Sequence, residues 1–221
     1  VQTCALPILE QQVMQGRYKK GDKLPPEREL AALLGASRNS VREGLGILER
    51  MGAISSQQGA GNFISDNFEK TLVEVMTLMF ILEEGTFREI SEFRYTLETQ
   101  ALALAMEHIS KKQLADIEYY MSMLEKTPEE DMKAYYDKKI HYTITAASGN
   151  RFIIDNLQAL TAVMDVFIKD MRAKILSDGS NSEGLMAAHR EMVEALRENN
   201  MEKGMQALKV HFEYIYEYID G

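Results

Sequence analysis

Apolar positions change their spacing once along this chain. Up to about residue 65 they come in short bursts broken by Gly and Pro, and from Phe68 onward they recur at helical spacing almost to the end. In the first stretch, ILEQQVMQ (8–15) reads as a helix ended by Gly16. A turn-rich connector with Gly21-Asp22 and Pro25-Pro26 follows. Residues 27–34 form a short helix with Leu30, Ala31 and Leu34 on one face and Gly35 as its stop. Ser37 is placed to cap the next helix, 38–51, whose apolar stripe is Val41, Leu45 and Leu48. Two short strands, near 53–56 and 62–65, flank a glycine-rich tip at 57–61. The second stretch predicts helices at about 68–83, 86–107, 110–126, 128–147, 150–177, 182–199 and 201–219. The reading is a mainly α protein: a winged helix-turn-helix over 1–66, then an all-α bundle of six or seven helices over 67–221.

Two short helices around Gly35-Ala36-Ser37, followed by a hairpin, are the parts of a DNA reader. The second helix would enter the major groove, presenting Ser37, Arg38, Asn39, Ser40 and Arg42 to base edges and phosphates. Arg28 starts the preceding helix and could grip the backbone, and the hairpin glycine Gly59 lets the wing approach the minor groove. The bland alternative is a solvated, charged helix face.

Net charge is −9, which taken alone argues against nucleic acid, but its distribution reverses that reading. Residues 1–64 carry eight cations and six anions, whereas the remainder is strongly acidic. A mildly basic head on an acidic body suits a protein that meets phosphates with one end. No long uncharged apolar run is present to span a membrane, and the first residues do not form a secretory signal. The lone Cys4 cannot form an internal disulfide. A cytoplasmic protein is the expectation.

Three of the four histidines fall among apolar positions of the C-terminal helices. Asp137 and His141 are at i and i+4 beside Ala134, Ile144 and Thr145. His189 shares a face with Leu185, Met192, Val193 and Leu196, and His211 with Leu208, Phe212, Ile215 and Ile219. A buried unpaired imidazole or carboxylate is costly, and three helices delivering ligands to one point remove that cost. One carboxylate and three imidazoles make a ligand set for a divalent metal such as zinc, with nickel or another ion possible. The alternative is a set of hydrogen-bonded core histidines. Arg94 is a second anomaly, sharing a face with Ile90, Phe93, Leu97 and Ala101. It either pairs internally with Glu98 at i+4 or anchors an anionic ligand whose other end meets the metal. His108, at a helix end, reads as exposed.

GRYKKGDKLPPERELAALLGASRNSVREGLGILERMGAI (16–54), followed by GAGNFI, closely resembles the head of the GntR family of bacterial transcription regulators. The resemblance implies operator contacts from Arg28, Arg38 and Arg42 and minor-groove entry by Gly59. Gly44 stands where the family has alanine, which should cost helix stability, and Val1–Leu6 departs from the family's usual start. The order Arg94, Asp137-x-x-x-His141, Asn150, His189, His211 resembles the ligand-binding domain of the FadR subfamily. That implies a metal on the Asp/His/His/His set, with a small organic acid completing its shell and meeting the matching arginine. Asn150 matches a position near that pocket, or it only caps a helix.

Together these readings give a non-enzymatic, dimeric DNA-binding regulator on a palindromic operator, controlled by a small carboxylate at a divalent metal. Two alternatives stay open. One keeps the regulator but makes the metal structural and the effector an acyl chain, a role the fourteen methionines would suit. The other is a metal-dependent hydrolase, against which stand the DNA-reading head and the lack of an evident general base.

Overall fold

The computed structural model describes residues 5–65, 69–167 and 182–220. Cys4 and the 168–177 end of the long helix expected at 150–177 lie outside them. The chain separates into two compact units that part between Thr71 and Leu72. The division expected at 66/67 falls on residues outside those described.

In the first unit, α1 (Ala5–Met14), α2 (Glu27–Leu34) and α3 (Arg38–Arg50) precede strands β1 (Ile54–Gln57) and β2 (Gly61–Ile64). Gly35 ends α2 in the left-handed conformation at φ +61°, which glycine adopts without the Cβ penalty. The Ser37 hydroxyl accepts from the Ser40 amide at 3.1 Å and starts α3. The expected faces are buried: Leu30, Ala31 and Leu34 from α2, and Val41, Leu45 and Leu48 from α3, close on Leu9, Leu24, Ile54 and Ile64. The strands pair antiparallel from Ile54↔Ile64 to Gln57↔Gly61, so both ends of the expected tip join the ladder. Gly44 is where α1 crosses α3. A Cβ there would lie 3.3 Å from the Leu6 backbone nitrogen, so the glycine trades helix propensity for close approach.

The helices that follow are α4 (Glu69–Leu82), α5 (Phe87–His108), α6 (Lys111–Lys126), α7 (Glu130–Ala147), α8 (Arg151–Phe167), α9 (Ser182–Glu198) and α10 (Met201–Asp220). Their starts are chemically marked. Thr86 with Glu89 and Ser110 with Gln113 form reciprocal capping boxes for α5 and α6. Asn200 accepts from the Lys203 amide at the start of α10. In the second unit α5 packs on α7, α8 and α10, α9 on α10 and α6, and α6 on α7. Ile117, Leu124, Ile140, Met192, Ala195, Leu208 and Phe212 are among the buried residues that fill the space between them. Among the described residues no helix is long and apolar enough to cross a membrane.

The inner stripe of α5 differs from the one hydropathy suggests. Ser91, Arg94, Glu98, Ala101, Leu102 and Ala105 are buried, while Phe93 is 44% exposed. The stripe is rotated because Arg94 and Glu98 satisfy each other and can both face inward.

Candidate functional site

Helices α5, α7, α9 and α10 bring one cluster of polar side chains into the apolar interior of the second unit. Asp137 and His141 lie one turn apart on α7, His189 comes from α9 and His211 from α10, and all four are buried. The three imidazole centroids are 4.6 to 5.4 Å apart. Each histidine offers one ring nitrogen within 4.8 Å of the others.

Hydrogen bonding decides which nitrogens point inward. The His189 Nδ1 is 2.8 Å from the Leu185 carbonyl oxygen, which only accepts, so Nδ1 carries the hydrogen. In the neutral ring Nε2 then holds a lone pair, and it lies 2.8 Å from Asp137 Oδ1. The His141 Nδ1 is 2.7 Å from Glu98 Oε2, which leaves His141 Nε2 3.3 Å from His189 Nε2 and 3.8 Å from Asp137 Oδ1. Three electron-rich atoms thus converge with no hydrogen to share between neutral rings. His211 has both ring nitrogens buried without a hydrogen-bond partner among the described residues. Orphaned nitrogens beside converging lone pairs are the environment a divalent cation satisfies, so the donor set fits a metal of the zinc class.

Burial holds the His211 imidazole well below the ordinary histidine range, and His189 and His141 add to this against the pull of Asp137 and Glu98. The unfolded chain takes up a proton near pH ~6.5 that the folded, metal-free protein resists. Stability therefore rises with pH while the unfolded state binds more protons, and falls on acidification below that point. The melting temperature of metal-stripped protein should drop between about pH 7 and about pH 5.5. The drop should be shallower in His211→Gln; equal slopes in calorimetry would count against this assignment.

Arg94 does not face open space. Its Nε donates to Glu98 Oε1 at 2.6 Å, its Nη1 lies 4.0 Å from Met164 Sδ, and its guanidinium is 5.1 Å from the Phe212 ring centroid. Of the two readings offered for it, the internal pair is the one present. Burial pushes the Glu98 carboxyl up, but the Arg94 guanidinium and then His141 outweigh it and hold Glu98 far below the usual carboxylate range. A cavity of about 10 Å³, lined in part by Glu98, His141 and Thr145, adjoins the cluster. That is room for about one water and not for an organic acid. Asn150 is correspondingly a helix cap: its Oδ1 accepts from the amides of Phe152 and Ile153, and it is exposed. His108 is exposed, as read. Glu98 entered the sequence reading only as a partner for Arg94; its contact with His141, 43 residues away, leaves no sequence signal.

In the first unit Arg28, Arg38, Asn39 and Arg42 are exposed, and Gly59 sits exposed at the hairpin tip with φ +76° and no atom near a would-be Cβ. Asn39, Arg42, Gly46 and Arg50 lie along one open face of α3. Arg50 shares this face and is not among the residues chosen from the sequence. Ser37 is occupied as the α3 cap, and Ser40 supplies the amide it accepts from. Arg42 donates to Glu27 at 2.7 Å, which holds the Glu27 carboxyl below its usual range. A phosphate would compete for the same guanidinium.

Residues 6–64 match the family described as bacterial regulatory proteins, gntR family, and residues 89–214 match the FCD domain. The chain is 26% identical over 202 residues to an Escherichia coli (strain K12) protein designated an L-lactate dehydrogenase operon regulatory protein, covering 89% of this chain and 77% of that one. It is 24% identical over 213 residues to the HTH-type transcriptional repressor NanR of Edwardsiella tarda, covering 94% and 81%. Among solved structures, Streptococcus agalactiae GntR superposes with a TM-score of 0.65 at 21% identity, covering 96% of this chain and 97% of that one.

Proposed function

We propose a metal and an effector class for a chain that belongs to the GntR family of bacterial regulatory proteins and carries an FCD domain. It is a DNA-binding transcription regulator with an effector-binding domain, not an enzyme. The finer reading is that Asp137, His141, His189 and His211 hold a divalent metal, zinc by donor set, and that a small organic acid at this centre controls operator binding. The observation that carries it is the convergence of Asp137 Oδ1, His141 Nε2 and His189 Nε2 beside a His211 with no hydrogen-bond partner among the described residues. The metal supplies a Lewis-acidic point at which a carboxylate can bind. The designation of one relative as an L-lactate dehydrogenase operon regulator is consistent with an organic-acid effector, and that of the other as a transcriptional repressor with repression.

The protein works in the cytoplasm as a homodimer, each head taking one half of a palindromic operator. Effector binding must favour one arrangement of the two heads, because equal affinity for both shifts nothing. The closed interior requires the effector to open the site. Arg94 can meet the acid through its Nη groups while its Nε stays on Glu98, and Asn150 contributes only if its cap is rearranged.

Thermal melting of metal-loaded protein with small carboxylates, repeated with a chelator, tests this. A ligand specific to the native state raises the midpoint by mass action. A shift for one acid that the chelator abolishes supports the reading. A second reading has one specific observation behind it. A largely apolar cavity of about 250 Å³, lined by Met76, Met79, Phe80, Ile90 and Phe93 among others, suits an acyl chain alongside a structural metal. No response to small acids but a shift with acyl compounds would favour it.

For the head, we expect Arg38→Ala to weaken operator binding by about 1–3 kcal/mol. Arg42→Ala should also weaken it. Glu27→Gln should tighten it, by freeing Arg42 and removing an anion near the phosphates. Binding isotherms at one fixed salt concentration check all three, and unchanged affinity in both arginine variants would remove the assignment of α3 to DNA.

A further inference from the structure

The buried chain Arg94–Glu98–His141 links one face of α5 to the metal candidates on α7. The Arg94 Nε to Glu98 Oε1 distance is 2.6 Å and the Glu98 Oε2 to His141 Nδ1 distance is 2.7 Å. Both Glu98 oxygens are therefore engaged, one by a guanidinium that only donates and the other by an imidazole nitrogen. All three residues are at most 6% exposed, so water does not compete for these bonds. Ring orientation in histidine follows from the partner of the nitrogen facing away from the ligand.

We propose that Glu98 is the positioning residue of this centre: gripped by Arg94, it accepts a hydrogen bond from the His141 Nδ1–H and so turns the Nε2 lone pair toward Asp137 and His189. This rests on a metal being held by Asp137, His141, His189 and His211. Glu98 would not touch the metal. It acts through His141, as the Leu185 carbonyl does through His189. The two histidines are thereby aimed by different means, one by its own helix backbone and the other by a side chain on α5. Metal affinity then depends on α5 through Glu98.

The geometry makes a sharp expectation for the isosteric change Glu98→Gln. Arg94 can only donate, so it retains the amide oxygen and turns the amide NH₂ toward His141 Nδ1. That group donates, Nδ1 must become the acceptor, and Nε2 acquires the hydrogen and loses its ligand lone pair. Adding Arg94→Met releases the amide to rotate, so its oxygen can again accept from His141. The double variant also removes the buried cation that the single change leaves without a carboxylate.

The test uses the full chain. Long-range ¹H–¹⁵N correlation spectra of metal-free protein report the His141 tautomer, and competition with a chromophoric chelator reports zinc affinity. The expected results are an Nδ1–H tautomer in the unsubstituted protein, inversion in Glu98→Gln with a roughly 10- to 100-fold loss of zinc affinity, and partial recovery of both in Arg94→Met/Glu98→Gln. A role confined to packing would make the double variant worse than the single one. An Nε2–H tautomer in the unsubstituted metal-free protein overturns the proposal. So does unchanged zinc affinity in folded Glu98→Gln, or a double variant no better than a folded single one. If Glu98→Gln does not fold, the unsubstituted tautomer and the double variant's zinc affinity, near normal if the proposal holds, decide the matter. Failure of the unsubstituted protein to take up any metal would remove the metal reading itself, and the tautomer measured without metal tells that outcome apart.

Discussion

Replacing His189 with alanine is expected to eliminate the stabilisation by divalent metal that the proposed centre would confer. His189 is fully buried, its Nδ1 is tied to the Leu185 carbonyl, and its Nε2 lies 2.8 Å from Asp137 Oδ1 and 3.3 Å from His141 Nε2. Loss of an outer partner alone typically costs 10- to 100-fold in metal affinity, so loss of a proposed ligand should exceed roughly 100-fold. At metal concentrations that saturate the unsubstituted protein, a 100-fold loss is worth about 2.7 kcal/mol of apparent stability. The metal-free variant should melt close to the metal-free parent, because the substitution also relieves the close approach of lone-pair-bearing atoms. Paired melts with zinc and with chelator measure this directly. A chelator-sensitive shift of normal size in His189→Ala would mean that the metal, if bound, sits elsewhere.

Phe212→Ala should be the most damaging single change to the fold of the second unit. Phe212 is 1% exposed and lies beside His211, with ring centroids 5.3 Å apart, and its ring is tilted against those of Tyr95 at 5.1 Å and Tyr216 at 6.1 Å. Its ring additionally faces the Arg94 guanidinium. Truncation removes buried apolar area and leaves a cavity that helices of this length cannot collapse around, at a cost of about 3–5 kcal/mol. That is a large share of the roughly 5–15 kcal/mol that holds a domain folded. A fall in melting temperature on the order of 10 °C is expected. Phe212→Leu should recover most of it by restoring volume. A loss below about 1 kcal/mol in denaturant titration would show that this layer is less closely packed than the ring contacts imply.

The convergence of the ligand candidates and the loss of Arg94 to an internal pair came from different levels of information. Helix periodicity is a local property. Asp137, His141, His189 and His211 could each be assigned to an inward face because an i, i+3, i+4 pattern on one helix needs no knowledge of the others. The same holds for the head, where Gly35, Ser37 and the glycine-bearing hairpin mark turns through backbone chemistry confined to a few residues. Asn150 shows the limit. A cap and a pocket residue look alike until the neighbouring amides of Phe152 and Ile153 are placed. Arg94 and Phe93 show another. On hydropathy alone the buried stripe of α5 is drawn through phenylalanine, yet a paired Arg94 and Glu98 rotate it.

Helix positions, the winged head, the family and the inward-facing placement of Asp137, His141, His189 and His211 were therefore all legible in the linear chain, since each depends on short-range spacing or a contiguous motif. Which nitrogen of each histidine faces inward was not. That depends on a carbonyl of the same helix for His189 and on Glu98, 43 residues away, for His141. Nor could the chain alone reveal that Arg42 is held by Glu27, that Arg94 is paired through its Nε with Glu98, or that the space beside the histidines admits about one water. Partners, tautomers and cavities are properties of distances between helices, and those distances exist only once the helices have packed.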